Sequence, residues 1–333
     1  MQHFFTFFDS YYLLRGMALY RSLKRHCPEF TLWIVCYDQA CHDFYTGLAL
    51  PEVRLITEAD FEGDDPRLAK AKQERSRVEY YFTCTATIFR HLFERDPSID
   101  LLTYLDADLY FYANPALMFE GLGDFSVAIT PHRFPAGYEH LANHGKYNAG
   151  FAVFRNDARG RACLDWWRER SIEWCFDVLD GDRYANQKYL DQFPVLFQGV
   201  AEIQHPGVNL APWNLAGQAV TVQDGEVRVG DHPLVFYHFH GLKKLKPWLF
   251  DPNLSPYGAR PTSAVRRAIY APYLDALREL DVEFAQVSGQ TTVGQGHRLS
   301  DSTVHPVRAM ARAVLAQTEL AKRVLGGHCL VYR

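Results

Sequence analysis

The stretch Leu101-Leu102-Thr103-Tyr104-Leu105-Asp106-Ala107-Asp108-Leu109-Tyr110-Phe111-Tyr112 decides how the chain is read. Its first five residues predict a strand, and that strand ends in two aspartates separated by one residue. Side chains two apart on an extended backbone point to the same side, so Asp106 and Asp108 can face one site in mostly apolar surroundings. Two like charges so placed repel each other, and a divalent cation offsets that repulsion. Mg²⁺ or Mn²⁺, held by a few carboxylates with open coordination positions, is suited to bridging phosphate oxygens. The alternative is an acidic turn that merely leaves the sheet, since turns favour Asp.

Upstream of this stretch, strand and helix patterns alternate. Strands are predicted over 4–8, 31–37 and 53–57, with a helix over 11–26 and a long helical stretch over 64–94. Such alternation is the signature of βαβ units, so the fold class is α/β with a mainly parallel sheet flanked by helices. In open sheets of this kind ligands bind beyond the carboxyl ends of the strands, where Asp106 and Asp108 lie. Downstream the pattern changes to strands over 125–130 and 150–155 and helices over 163–174 and 185–190. A hairpin is expected around Asp224-Gly225, and the sheet becomes mixed. Residues 286–304 read as a flexible linker. Residues 305–333 contain an amphipathic helix ending before Gly326-Gly327, with Arg308, Arg312, Lys322 and Arg323 on it. The domain organisation is therefore 1–285, linker, and C-terminal helical extension.

Three further motifs follow Tyr104-Leu105-Asp106-Ala107-Asp108 in order: Tyr147-Asn148-Ala149-Gly150-Phe151, Asn186-Gln187, and His238-Phe239-His240-Gly241 before Lys246-Pro247-Trp248. Together with the D-x-D element they resemble the GT-A (Rossmann-like) glycosyltransferases of family 8, the glycogenin and bacterial lipopolysaccharide galactosyltransferase group. The resemblance spans residues 3–250. It implies transfer of a sugar, with retention, from a nucleotide-diphosphate sugar such as a UDP-sugar to a glycan or lipid-linked acceptor, assisted by Mn²⁺ or Mg²⁺.

By the same resemblance Asp106, Asp108 and His238 hold the metal, with His240 on the same side of its strand as an alternative. Phe7, Asp9 and Tyr11 sit where the nucleoside is read. Asn148 contacts the donor sugar, Gly241 lets the chain approach the phosphates, and Lys244 neutralises the leaving diphosphate, with Lys243 and Lys246 as alternatives. Gln187 lies beneath the sugar, and Asp191, one helical turn on, is the nearest carboxylate. The family's usual Arg ahead of the D-x-D strand is missing from Tyr81-Phe82-Thr83-Cys84-Thr85, so Arg75 or Arg77 is expected to replace it. Trp213, in the loop 205–214, is read either as a platform for the acceptor or as a core anchor.

Composition narrows the alternatives. The 333 residues carry 35 Lys+Arg against 39 Asp+Glu, a net charge of −4, and no dense basic block of the kind a nucleic-acid partner requires. No apolar run approaches the ~20 residues needed to span a bilayer. The N-terminus lacks a basic leader, so the expected location is cytoplasmic, with peripheral membrane contact through the C-terminal helix. The seven cysteines include no C-x-x-C pair and read as reduced, buried residues. Gly16 is the only glycine among the first 40 residues, which disfavours the glycine-rich phosphate loop of nucleotidyltransferases and dehydrogenases. A non-catalytic nucleotide-sugar-binding protein is the remaining alternative.

Overall fold

In the computed structural model residues 1–288, 323–324 and 326–332 are described. The first half runs β1 (Gln2–Phe8), α1 (Leu13–His26), β2 (Phe30–Cys36), α2 (Gln39–Leu48), β3 (Val53–Thr57), α3 (Glu58–Glu62), α4 (Pro66–Glu74), α5 (Arg77–Arg95), β4 (Leu101–Leu105) and β5 (Leu109–Phe111). It continues through β6 (Val127–Pro131), β7 (Tyr147–Arg155), α6 (Ala158–Glu173), α7 (Phe193–Leu196) and β8 (Val200–Glu202). Seven of these strands form one sheet, ordered β3-β2-β1-β4-β7-β6-β8. β3, β2, β1 and β4 are parallel, and β7 runs antiparallel between β4 and β6. The mixed, mainly parallel sheet expected from the sequence is present.

Period-two alternation explains why β1 is almost wholly apolar. Phe4 and Phe8 enter the core shared with α1, while Phe5 and Phe7 enter the core shared with α5 and α6, so both faces of the strand are covered. All seven cysteines are buried and free, as expected of reduced apolar residues.

The helix predicted over 64–94 is divided. Arg75 adopts an extended backbone, and Ser76 opens α5 with a capping box in which its hydroxyl accepts from Glu79 N–H and Glu79 returns a bond to Ser76 N–H. Arg75 cannot serve the donor, because its guanidinium donates to the Ser171 and Ile172 carbonyls at the end of α6. The helix predicted over 185–190 is a 3₁₀ turn over Lys188–Gln192 followed by α7, since Ala185 sits at φ 44° and cannot continue a right-handed helix. The α4 cap is tied to α6: Asp65 accepts from Arg67 and, at 2.5 Å, from the buried Arg168. Hydrogen bonds from Arg67 first, and then from Arg168, hold the Asp65 carboxyl well below the usual carboxylate range. A depressed carboxylate stabilises the fold above its unfolded pKa and loses that contribution as the pH falls. Asp65→Asn should therefore cost about 1–2 kcal/mol at pH 7, with the gap from wild type closing below pH ~4, as urea denaturation at both pH values would show.

Beyond β8 the chain forms β9 (Val220–Gln223), β10 (Glu226–Val229), β11 (His232–Pro233), β12 (Phe236–His238), β13 (Lys243–Lys246) and β14 (Leu249–Asp251). The β9–β10 hairpin turns at Asp224-Gly225, both at positive φ, as the sequence predicts. α8 (Ser263–Val265), a π-helical turn over Arg266–Tyr270 and α9 (Ala271–Ser288) follow, and α9 packs against α1. α9 extends three residues into the expected linker. The rest of that linker lies outside the described residues, as does the amphipathic helix over 305–325 apart from the helical Arg323–Val324. β15 (Leu330–Val331), which the sequence does not announce, pairs with β14. Among the described residues no helix is long and apolar enough to cross a membrane.

Candidate metal centre

β1 and β4 are neighbours at the point where the order of the sheet reverses, the position at which such sheets bind ligands. Asp9 leaves β1 there, and Asp106 leaves β4. Beyond Asp106 the backbone turns, with Leu109 N–H donating to the Asp106 carbonyl at 3.2 Å. β5 then pairs antiparallel with β12, setting His238 opposite Leu109. Phe239 N–H donates to the Asp108 carbonyl at 2.9 Å, and Asp106 N–H donates to Gly150 of β7 at 2.9 Å. Three distant segments are thereby stitched around one point.

At that point Asp106, Asp108 and His238 present ligand atoms within 4.8 Å of one another. His238 Nε2 lies 3.1 Å from Asp108 Oδ1 and 3.6 Å from Asp106 Oδ2. Tyr104 OH donates to Asp106 Oδ1 at 2.5 Å. Arg15, in α1, places Nη1 3.6 Å from Asp108 Oδ2 while Nη2 donates to the Leu242 carbonyl at 2.8 Å. His240 is exposed with its ring 5.8 Å from that of His238, so His238 is the histidine of the cluster. Gly150 admits two of these side chains: a Cβ there would stand 2.3 Å from Asp106 Oδ2 and 2.7 Å from His238 Cε1.

The charges in this cluster are mutually dependent. Burial works against ionisation of Asp108, yet His238 and Arg15 hold its carboxyl below the usual range. Loss of water, and then the like charge of Asp108, push Asp106 up. Burial disfavours the His238 cation, but Asp108 and Asp106 outweigh it and raise its pKa. A proton on His238 thus supplies the positive charge that the two carboxylates require. Two carboxylates and an imidazole are a fitting donor set for Mn²⁺ or Mg²⁺, which would replace that proton.

Phe7, Asp9 and Tyr11 lie at the end of β1 and the turn after it. Phe7 stacks on Tyr104, with centroids 5.0 Å apart. Asp9 accepts from Tyr11 N–H at 3.0 Å, capping the turn into α1, and its other oxygen faces Tyr81 OH at 3.3 Å and Arg77 at 3.6 Å. Arg77 also approaches Asp38, at 3.7 Å, so it is a cation near the end of β1. Tyr11 is exposed and Tyr12 carries Arg15 over its ring.

Gln187 is drawn to the start of β7. Its Oε1 lies 3.3 Å from Ala149 N and 3.4 Å from Asn148 Nδ2, and its Nε2 donates to the His144 carbonyl at 3.0 Å. Its neighbour Asn186 is buried against Thr85 and Trp167, which settles the different fates of the Asn-Gln pair. Asp191 accepts from Lys146 N–H at 2.8 Å, so its carboxylate anchors the entry to β7. Gly241 has φ 69° and abuts Asn253, both of which exclude a side chain.

Successive residues of β13 alternate in direction, so Lys243 and Lys244 lie on opposite faces of the strand, and burial lowers the Lys244 pKa. Trp213 is buried, edge-on to His132, His238 and His240, which makes it a core anchor and removes the platform reading. Sequence reasoning missed Arg15 and gave Gly150 no role of its own.

No family model matches the sequence. The uncharacterized protein YfnF of Bacillus subtilis (strain 168) is 32% identical over 239 residues, covering 69% of this chain and 78% of the relative. The uncharacterized protein YfnD of the same organism is 30% identical over 275 residues, covering 82% and 87% respectively. Among solved structures, the galactosyltransferase LgtC in complex with donor and acceptor sugar analogs matches with a TM-score of 0.51 at 16% identity, covering 84% of this chain and 96% of that one. An active-site glutamine-to-glutamate mutant of LgtC matches with the same TM-score at 14% identity. The chain accordingly belongs to the family of YfnF and YfnD, and its fold is the GT-A fold of the glycosyltransferases.

Proposed function

We propose that the protein is a metal-dependent glycosyltransferase that moves a hexosyl unit, with retention, from a UDP-sugar to a glycan or lipid-linked acceptor. The observation that carries this reading is the convergence of Asp106, Asp108 and His238 at the switch point of the sheet, where the missing side chain of Gly150 lets Asp106 and His238 approach. The likeness in fold to LgtC, solved with donor and acceptor sugar analogs, supports it. Bound there, Mn²⁺ or Mg²⁺ supplies positive charge to the departing diphosphate. Phe7, Asp9 and Arg77 bind the nucleoside end. Lys244, with Lys243 and Lys246 as alternatives, neutralises the leaving diphosphate, and Gly241 admits the phosphates.

Gln187 and Asn148 line the sugar's place. A carboxamide is a poor nucleophile and a poor base, so Gln187 orients the sugar and stabilises positive charge at the anomeric carbon rather than forming a covalent intermediate. The acceptor oxygen bonds to that carbon on the face the diphosphate leaves. The carbon–oxygen bond to phosphate breaks with its electron pair going to UDP, and the acceptor proton passes to the departing phosphate oxygen.

UDP release from a panel of UDP-sugars, with Mn²⁺ and with chelator, tests the activity, and chelator-insensitive release would overturn the metal-dependent reading. Product NMR tests the stereochemistry: an α-linked product from an α-linked donor is expected, and a β-linkage would contradict retention. Gln187→Ala should lower kcat roughly 10²-fold with little change in donor KM, because the interaction it removes grows in the transition state.

A further inference from the structure

Behind Gln187 stands a second asparagine in the loop that follows β8. Asn209 is fully buried and sits at φ 57°, a left-handed conformation that an ordinary side chain leaves unless it is held. It is held: its carbonyl accepts from Asn214 Nδ2 at 3.0 Å and faces Arg133 Nη2 at 3.4 Å. Asn214 is in turn fixed by accepting from Ala211 N–H at 2.9 Å and by donating to the His132 carbonyl at 2.9 Å. The next residue, Leu210, offers its carbonyl to His238 N–H at 2.8 Å, so the same loop supports the metal-site histidine.

From this fixed backbone Asn209 Nδ2 donates to Asn148 Oδ1 at 3.2 Å, and Asn148 Nδ2 faces Gln187 Oε1. The direction of the chain is imposed by main-chain groups at its far end. Ala149 N–H can only donate and the His144 carbonyl can only accept, so Gln187 must present Oε1 to the former and Nε2 to the latter. Asn148 must then turn its NH₂ toward Gln187 and its oxygen toward Asn209, which must answer with its own NH₂. The Asn209 Oδ1 is left buried without a partner, a cost that only this orientation explains.

We infer that Asn209 is a positioning residue for the transfer reaction: by donating to Asn148 Oδ1 it holds Asn148 in the one orientation that turns its NH₂ toward Gln187 Oε1, beside the sugar's place. The relay is a property of the fold, and only its consequence for rate rests on the proposed activity.

Two variants and two readouts test it. In ¹⁵N-labelled protein, Asn209→Ala should shift the side-chain amide signals of both Asn148 and Gln187, although the hydrogen bond that residue 209 makes goes to Asn148. The isosteric Asn209→Asp sets an acceptor against the Asn148 oxygen and should shift both as well, without requiring a cavity. In UDP release from the UDP-sugar panel with Mn²⁺, Asn209→Asp should lose roughly tenfold or more in kcat with donor KM within about twofold, and nothing further in a Gln187→Ala background. An unmoved Gln187 amide signal, or a kinetic loss that adds fully to that of Gln187→Ala, would overturn the inference. Absence of UDP release from the wild type would defeat the proposed activity instead, while the amide signals would still decide the relay.

Discussion

Asp108→Asn is expected to reduce Mn²⁺-dependent UDP-sugar turnover by roughly a hundredfold or more, with the far-UV circular dichroism unchanged. The substitution keeps the shape of the side chain and removes its charge. Asp108 is the carboxylate that His238 and Arg15 both hold ionised, and it lies nearest the His238 ring. Without it a cation keeps one carboxylate and one imidazole, and Arg15 loses its ionic partner. Mn²⁺ binding followed by calorimetry should weaken in parallel with turnover. Full activity of the variant, or a loss of turnover with Mn²⁺ affinity intact, would place the metal elsewhere.

Gly150→Ala should be comparably damaging although it adds one methyl group. The new Cβ would meet Asp106 Oδ2 and the His238 ring at distances well inside van der Waals contact, and neither can retreat easily: His238 is packed beside Trp213, and Asp106 is held by Tyr104. The expected result is a roughly hundredfold fall in Mn²⁺-dependent turnover and a stability loss of about 1–3 kcal/mol. Gly47→Ala is the control, because Gly47 lies in α2 with nothing near its missing Cβ, and it should leave turnover unchanged and stability slightly raised. Wild-type turnover in Gly150→Ala would show that the three ligand atoms do not converge where they stand here.

The first βαβ units were legible because local signals suffice for them. Apolar strands at the right intervals, the apolar stripe of the 11–26 helix and the acidic strand end each act within a few residues. The division of the 64–94 helical stretch was present in the sequence as Ser76 and Glu79, but the helical pattern on both sides masked it. Asp106, Asp108 and His238 were legible as motifs, and the choice of His238 over His240 needed the β5–β12 register.

The lysine assignment shows the limit of spacing. Counting from Gly241 favours Lys244, and the face that each of these lysines takes follows only once 243–246 is known to be a strand. Arg15 and Asn209 had no sequence signal. Arg15 reaches Leu242 across 227 positions, and Asn209 reaches Asn148 across 61. Such contacts exist only once the sheet has brought the segments together.

Stabilisation against thermal unfolding by UDP-sugar, measured with Mn²⁺ and in chelator for wild type and Asp108→Asn, tests the central claim most directly, since a ligand that binds only the folded state raises stability by mass action. The account predicts that UDP-sugar and Mn²⁺ together raise the unfolding temperature of the wild type, that UDP-sugar in chelator does so far less, and that Asp108→Asn shows no Mn²⁺-dependent increment. Equal stabilisation with and without Mn²⁺, or an undiminished increment in Asp108→Asn, would contradict it.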